Sequence, residues 1–336
     1  MRVAASRPSR SSTAIEPSAR AVLAELGAHG AISGAALAGR LGVSRAAVWK
    51  QVERLRAAGI AIEAQAGSGY RLDAPLELLD AATLRRALAP STQVGDLAVH
   101  WQLDSTSSEL LRRAADDPRD RLVCLAEIQT AGRGRRGRRW HTPPGGGIAL
   151  SLLKRFDAGM AALAGLSLAV GVAAVDALAA CGIGEIALKW PNDLVARGAK
   201  LGGILVELGG DALGPCHAVI GLGINLRLGA AAAAIDQAAI DLATLAPEPS
   251  RTRVVASLVD HLVAALDRFE AQGFAAFADA YARHDALHGR EVDVVRGAER
   301  RQGIARGIDA RGALRVAFAG GEETVDAGEV SLRVRA

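Results

Sequence analysis

The sequence predicts a multidomain α+β protein, and three changes of pattern along its 336 residues carry that prediction. Short amphipathic helices followed by a glycine-turned hairpin come first. Strand-like and helix-like segments then alternate through a long middle part. After Leu287 the pattern changes to short strands separated by glycine turns, which is typical of a small β-barrel. A chain of this length can bury more than one hydrophobic core.

The first predicted domain, residues 17–74, has the order of a winged helix-turn-helix. Helices are expected to begin at Ser18, Ser33 and Ser44, because serine caps helix N-termini. Two extended segments joined by glycines then predict a hairpin. Residues 1–16, which precede this domain, are predicted to form a disordered basic tail.

The third predicted helix has one apolar face and one basic face, as a recognition helix in a major groove requires. The N-terminal residues of such a helix lie nearest the bases, and a wing residue reaches a phosphate. The residues expected to bind DNA are Ser44, Arg45, Ala46, Trp49, Lys50 and, in the hairpin, Arg71. The alternative is a small helical module whose solvated basic face contacts another protein.

A linker with one helix is predicted over residues 75–92, and a mixed α/β domain over residues 93–286. Its strands are expected at 98–103, 122–127, 148–153, 186–190, 203–208 and 217–222. Its helices are expected at 107–115, 161–180, 252–272 and 274–283. Residues 287–336 form the predicted β-barrel, with strands at 291–295, 303–307, 313–318, 323–325 and 329–334.

Composition limits the class of protein. The balance of apolar and charged residues is that of a globular protein, and a net charge of +4 supports an anionic partner only where the basic residues cluster. The three cysteines are far apart and are expected in the core: Cys124, Cys181 and Cys216. No apolar signal segment begins the chain, so a cytoplasmic location is expected. The uncharged stretch 158–175 is rich in Ala and Gly, which favours a buried helix over a membrane span.

The strongest chemical signal is the motif GRGRRGRRW at residues 132–140, with five arginines and three glycines in nine positions. Glycines let the backbone approach a ligand, and guanidinium groups with successive amides bind a polyanion such as a nucleotide phosphate. We expect this arginine loop (residues 132–140) to be disordered when empty, because its charges repel one another, and to close when a phosphate or carboxylate binds. The alternatives are an RNA contact of the RGG type and a generic basic run.

Other motifs follow strands. Basic residues are almost all arginine, so the lysine of KWPND at 189–193 suggests that a compact positive charge is needed there. KLGGILVE at 200–207 and GLGIN at 221–225 place glycines beside strands, where the backbone approaches something closely. DSTSS at 104–108 places hydroxyls at a helix start. His284 and His288 lack an acidic or cysteine partner, so no protein-built metal site is expected.

Taken together, the ordered motifs resemble the bacterial biotin–protein ligases, and the winged helix resembles that of the bifunctional kind that is also the biotin operon repressor. The resemblance spans residues 18–334. It implies a central domain like that of class II aminoacyl-tRNA synthetases and a C-terminal SH3-like barrel. It also implies ATP and biotin as substrates, Mg²⁺ with the nucleotide near Asp193, a biotin carboxyl carrier protein and operator DNA as partners, and a ligand-promoted homodimer.

The resemblance implies roles for individual residues. The residues expected to hold biotin or its adenylate are Ser105, Thr106, Ser107, Gln129, Gly132, Arg133, Gly134, Arg135, Lys189, Gly202 and Gly203. Those expected near the nucleotide are Arg138, Trp140, Asn192 and Asn225. Lys189 and Arg135 are the expected catalytic residues. The family usually has Asn at the position of Ser107, which bears on the strength of that contact.

Two other functions are compatible with the motifs. One is a transcription factor whose central domain senses biotin without catalysis, although the lysine of KWPND and the complete arginine loop oppose it. The other is a lipoate ligase, which shares the central fold. The winged helix and the full arginine motif favour biotin.

Overall fold

A computed structural model describes residues 17–65, 69–229, 232, 235, 237–296, 299–327 and 330–334. These residues form two compact units, one ending at Leu76 and one beginning at Glu77. The expected basic tail, the turn of the hairpin and part of the alanine-rich segment near residue 233 lie outside the described residues. Within the described part, no helix combines the length and the hydrophobicity needed to cross a bilayer.

The first unit has the helix and hairpin order expected from the sequence. Its elements are α1 (Pro17–His29), α2 (Gly34–Leu41), α3 (Arg45–Ala57), β1 (Ile62–Gln65) and β2 (Gly69–Leu72). Ser33 caps α2 by accepting from the Ala36 amide, and Ser44 caps α3 by accepting from the Ala47 amide. The apolar residues Leu23, Leu37, Val48, Val52 and Leu55 are buried between the helices.

The second unit begins with α4 (Ala81–Ala87), capped by Asp80, and continues into a mixed sheet. In the described chain this sheet has seven strands in the order β3-β4-β5-β9-β8-β7-β6. They are β3 (Asp96–Leu103), β4 (Leu122–Gln129), β5 (Gly147–Phe156), β6 (Ile186–Lys189), β7 (Asp193–Ala196), β8 (Ala199–Gly210) and β9 (Cys216–Asn225). The β3–β4 pair is parallel and the others are antiparallel.

Helices cover both faces of this sheet. One face packs on α6 (Leu166–Ala180) and α8 (Arg251–Gln272) and forms the larger core. The opposite face carries α5 (Thr106–Asp116), whose Leu110 packs on the smaller apolar cluster. The short helices α7 (Leu242–Leu245) and α9 (Ala278–His284) lie in the connections before and after α8.

The C-terminal part of the second unit is the expected SH3-like domain. Its described strands are ordered β13-β12-β11-β10-β14, all antiparallel. They are β10 (Glu291–Arg296), β11 (Glu299–Ile308), β12 (Leu314–Phe318), β13 (Gly321–Val325) and β14 (Val330–Val334). This domain packs against the tip of the β6–β7 hairpin, where Trp190 Nε1 donates to the Gly312 carbonyl at 2.9 Å.

Four local expectations differ from the structure. KWPND does not simply end a strand, because β7 follows it at once and makes it the tip of a hairpin. The helix expected over 161–180 is broken, because Gly165 adopts φ 80° between a 3-10 turn and α6. Cys124 and Cys216 are buried as expected, whereas Cys181 is only partly buried. In addition, α1 begins at Pro17, before the serine that was expected to cap it.

A buried ion pair joins the main layers of the second unit. The Arg251 and Glu127 side chains are 1% and 2% exposed and approach to 2.6 Å. Glu127 also accepts from the Leu79 and Gly145 amides, and Arg251 donates to the Gly147 carbonyl. Because both side chains are almost fully buried, removal of one partner leaves an uncompensated buried charge.

We expect Arg251→Met to lower the free energy of unfolding of the second unit by about 3–5 kcal/mol, because it leaves Glu127 buried without its cation. Denaturant unfolding followed by fluorescence measures this change. Arg301→Gln is the control, since Arg301 and Glu323 form an exposed pair 2.7 Å apart. Equal stability of the two variants would contradict this account of the buried pair.

Candidate active site

The strand registers place a row of small and charged residues on one face of the large sheet. Residues paired across neighbouring strands point to the same side. The row crosses five strands of the described sheet through Ala149, Gly223, Gly203, Asp193 and Lys189. Three members have little or no side chain, so neighbouring groups can approach the backbone of the sheet closely beside two charged residues.

Hydroxyl groups lie at one end of this face, where α5 begins. Ser105, Thr106 and Ser107 are all nearly buried, and Ser105 caps α5 by accepting from the Ser108 amide at 3.4 Å. The Thr106 amide donates to Gln129 Oε1 at 2.9 Å. The structure therefore brings together the four expected residues from the DST motif and the end of β4.

The arginine loop folds back on itself beside β8. The Trp140 amide donates to the Gly132 carbonyl at 2.9 Å, and the Gly134 amide donates to the Arg138 carbonyl at 2.7 Å. A Cβ on Gly132 would lie 2.3 Å from the Trp140 carbonyl oxygen, so this position requires glycine. Arg133 reaches across to Glu207 of β8, with 2.6 Å between the charged atoms.

A cavity of about 730 Å³ lies between the arginine loop and the tip of the β6–β7 hairpin. Its walls are formed by residues 131–139, Ser167, Pro191, Asn192, residues 204–207 and Ala327. Arg135 donates to Asn192 Oδ1 at 3.2 Å and to the Ala327 carbonyl oxygen. Burial, reinforced by the neighbouring Arg136, lowers the pKa of Arg135. An anion bound here would oppose this lowering of the pKa, because a nearby negative charge favours the charged guanidinium.

Two lysines flank one carboxylate at the hairpin. Lys189 lies opposite Asp193 in the register of the β6–β7 hairpin. Lys200 Nζ lies 2.6 Å from Asp193 Oδ1 and forms an ion pair with it. Burial lowers the pKa of Lys189, Asp193 opposes that shift, and the positive charges of Lys200 and Arg138 add to it. No role was expected for Lys200 from the sequence. Its membership among only four lysines was the signal that could have found it.

The two glycines of KLGG face opposite sides of β8. Gly203 lies on the side of Lys200 and Asp193, where a Cβ would be no nearer than 3.5 Å to any neighbour. Gly202 pairs with the buried residues Leu194 and Ile224 on the other side. The structure therefore places only Gly203 on the face that carries Lys189.

Trp140 lies flat against β9. A Cβ on Gly223 would be 2.5–2.9 Å from the indole ring. The indole Nε1 is buried and has no hydrogen-bond partner in the part of the chain that the structure describes. A buried donor without a partner is costly, so this N–H is suited to a ligand acceptor.

The two asparagines expected near the nucleotide have different surroundings. Asn192 lies in the cavity wall, and its amide nitrogen donates to the Ile204 carbonyl at 2.8 Å. Asn225 is buried, and its amide nitrogen donates to the Ile240 carbonyl at 3.1 Å, which ties β9 to the following segment. Arg138 is exposed in the loop.

The residues expected to bind DNA lie on an exposed surface of the first unit. Ser44, Arg45 and Ala46 are exposed at the start of α3, as is Lys50. Trp49 is 58% exposed, which is unusual for a large aromatic residue. Arg71 forms an exposed pair with Glu63 at 2.7 Å, and a phosphate would compete with that carboxylate.

No cluster of three or more His, Cys, Asp or Glu side chains suited to a metal ion occurs among the described residues. Asp193 is held by Lys200 and has no second carboxylate beside it within the same row of residues. The donor set around Asp193 therefore fits a cation that is bound mainly by phosphate oxygens of a ligand. It does not fit a cation that is bound by protein side chains alone.

We expect Gly223→Ala to lower the melting temperature, because the added methyl group forces the Trp140 ring off β9. Gly203→Ala should leave it nearly unchanged, since the methyl group fits in ordinary contact with Lys200. Calorimetry of both variants provides the comparison. A melting temperature that is equally lowered, or equally unchanged, in the two would contradict this view of the glycine row.

Comparison with known proteins agrees with this architecture. The model of the Biotin/lipoate A/B protein ligase family matches residues 101–225, an HTH domain model matches residues 19–71, and the Biotin protein ligase C terminal domain matches residues 287–333. Among solved structures, the biotin protein ligase from Aquifex aeolicus in complex with biotin and ATP is similar, with a TM-score of 0.62 and 26% identity. That match covers 72% of this chain and 100% of the other.

Two relatives extend the match. The bifunctional ligase/repressor BirA of Salmonella typhimurium is 38% identical over 302 residues, which are 90% of this chain and 93% of the relative. The biotin--[acetyl-CoA-carboxylase] ligase of Paracoccus denitrificans is 36% identical over 233 residues, 68% of this chain and 96% of the relative. The chain therefore belongs to the biotin protein ligase family and, within it, to the bifunctional BirA ligase/repressors.

Proposed function

We propose that this biotin–protein ligase condenses biotin with ATP to biotinyl-5'-AMP and then transfers biotin to a lysine of a biotin carboxyl carrier protein. The observation that carries the proposal is that one face of the large sheet carries the glycine row and Lys189, with the hydroxyls of α5 at one end and the cavity of the arginine loop beside it. A small polar ring fits the hydroxyl end. A carboxylate and a triphosphate fit the cationic end.

In the first step, a biotin carboxylate oxygen attacks the α-phosphorus of ATP, and the bond to the bridging oxygen breaks to release pyrophosphate. Two anions must approach each other, so the protein has to supply positive charge. Arg135 and Lys189 are the proposed catalytic residues, with Arg133 and Gly134 beside the carboxylate and the phosphate. Lys200, whose Nζ lies 2.6 Å from the Asp193 carboxylate, adds a further positive charge beside Lys189.

The nucleotide is assigned to the side of the cleft where Trp140, Asn192 and Arg138 lie. The unpaired Trp140 Nε1 supplies a donor for the nucleotide. Asn225 has an indirect role, because its hydrogen bond to the Ile240 carbonyl holds β9 in place. Asp193 would lie near an Mg²⁺ ion that arrives with the phosphates, and such an ion would supply positive charge for the leaving pyrophosphate. The chain's own contribution is to orient the phosphates and to place Lys189 beside them, where Asp193 and the anionic phosphates favour its protonated form.

In the second step, the deprotonated carrier lysine attacks the acyl carbon of the mixed anhydride, and AMP leaves. The anhydride reacts with water unless the site is closed. Arg133 is bonded to Glu207, and Arg135 is bonded to Asn192 and Ala327. These bonds join the arginine loop to residues on the opposite wall of the cavity. We assign to this loop the shielding of the intermediate.

We further propose that the chain represses biotin synthesis as a homodimer promoted by the bound adenylate. Two winged helices related by a two-fold axis would place two copies of α3 on a two-fold operator. The exposed residues Ser44–Ala46, Trp49 and Lys50, with Arg71, are the proposed DNA contacts. Sedimentation of the chain with biotin and ATP, compared with either alone, tests the dimer.

We expect Lys189→Ala and Arg135→Gly to reduce biotin-dependent pyrophosphate release by about 10²- to 10³-fold, because each removes a cation from the reacting phosphate. Arg197→Gln is the control, since Arg197 pairs with Glu185 on the surface. Pyrophosphate release and biotinylation of a carrier domain are measured separately. Biotin binding without turnover in the natural chain would indicate a sensor, and activity with lipoate in place of biotin would contradict the assigned substrate.

With biotin and ATP present, we expect the full chain to bind DNA from upstream of biotin-synthesis genes at least about 10³-fold more tightly than random DNA of equal length. Lys50→Gln should weaken binding and reduce the slope of log affinity against log salt by about 1. Arg197→Gln, in the other unit, should change neither. Fluorescence anisotropy at several salt concentrations measures both quantities. Equal affinity for the two DNAs would refute repression.

A further inference from the structure

A chain of hydroxyl groups runs beneath the start of α5 and includes Ser151, a residue to which the proposed function gives no role. Ser151 lies on β5 between two leucines and is 0% exposed. Its Oγ lies 2.7 Å from Thr106 Oγ1 and 3.0 Å from Ser107 Oγ. A hydroxyl buried among apolar side chains has to be fully hydrogen-bonded, and both partners belong to the proposed biotin site.

The direction of each hydrogen bond in this chain follows from one fixed donor. The Thr106 amide can only donate, and it donates to Gln129 Oε1 at 2.9 Å, which identifies that atom as the oxygen of the side-chain amide. The Thr106 hydroxyl also donates to Gln129 Oε1, at 3.2 Å. Because a hydroxyl has one proton, Thr106 has none left for Ser151.

The remaining protons are then determined. Ser151 must donate to Thr106 Oγ1, and Ser107 must donate to Ser151 Oγ, if all the contacts are hydrogen bonds. Ser107 therefore keeps only lone pairs for any other partner. Its Oγ would lie 2.6 Å from a Cβ on Gly221, so the hydroxyl sits directly over the backbone of β9.

We propose that Ser151 is a positioning residue that makes Ser107 an acceptor, so that this site selects a ring with an N–H group. The inference rests on the proposed function. The cyclic urea of biotin carries such N–H groups, whereas the dithiolane ring of lipoate carries no donor. The selection acts through Ser107, at the position where the family usually has Asn.

The test uses binding to the full chain, measured by calorimetry, of biotin and of two cyclic carbamate analogues in which one or the other ureido N–H is replaced by oxygen. The oxygen removes the donor without adding bulk. We expect the natural chain to bind one analogue at least about tenfold more weakly than biotin, because the ring oxygen then faces the lone pairs of Ser107.

Ser151→Ala frees the Ser107 proton and leaves the shape of the binding surface unchanged. We expect biotin to bind about fivefold more weakly to this variant than to the natural chain. The disfavoured analogue should bind no more weakly to the variant than to the natural chain, so the preference for biotin over the analogue falls. Ser151→Thr, which keeps the hydroxyl, should keep the preference. Ser108→Ala, one residue along the same helix, is the matched control and should also keep it.

The outcomes separate the two proposals. If the natural chain binds no biotin, the proposed function fails and this inference fails with it. If biotin binds but Ser151→Ala weakens biotin and both analogues by the same factor, Ser151 only supports the fold and the inference alone is overturned. A loss of preference in Ser151→Ala together with its retention in Ser151→Thr supports the inference.

Discussion

Lateral pairing of β5, β9, β8, β7 and β6 is the interaction on which the site depends. It places Ala149, Gly223, Gly203, Asp193 and Lys189 side by side, although they come from segments far apart in the sequence. A slip of one residue in any pair would turn the charged residues toward the core on the opposite face. Helices α6 and α8 prevent such a slip, because the alternate residues of the same strands are buried against them.

Charge is the second constraint on this molecule. The arginine loop places several guanidinium groups around one cavity, and Lys189 and Lys200 lie on the adjacent hairpin. Glu207 and Asp193 offset part of this charge, and Asn192 and Ala327 supply only neutral acceptors to Arg135. Net positive charge therefore remains around the cavity, which is suited to an anion.

Most of the fold could be predicted from the sequence, because its helix caps and periodic apolar residues act locally. Ser33, Ser44 and Asp80 cap the helices that were expected after them. The grouping of DST, the arginine loop and KWPND was also expected, but only through the resemblance of ordered motifs to a family. Spacing along the chain gives no distance between strands, and no single motif predicted the glycine row.

The features that were missed depend on strand pairing. The four residues of β7 give too short a pattern to predict a strand, and so the KWPND hairpin was read as a turn. Gly202 and Gly203 cannot be assigned to faces until the register of β8 is known. Lys200 and Ser151 were missed for the same reason, since their neighbours Asp193 and Thr106 come from other elements.

The hydrogen bond from Trp190 to Gly312 has a consequence for the size of the smallest working enzyme. Trp190 is 2% exposed and donates to the Gly312 carbonyl, and Ala327 from the same part of the chain bonds Arg135. A fragment that ended with the large sheet would expose an indole at the tip of the reactive hairpin and leave the arginine loop without one of its acceptors. The SH3-like domain thus completes the surroundings of both the arginine loop and the hairpin that carries Lys189.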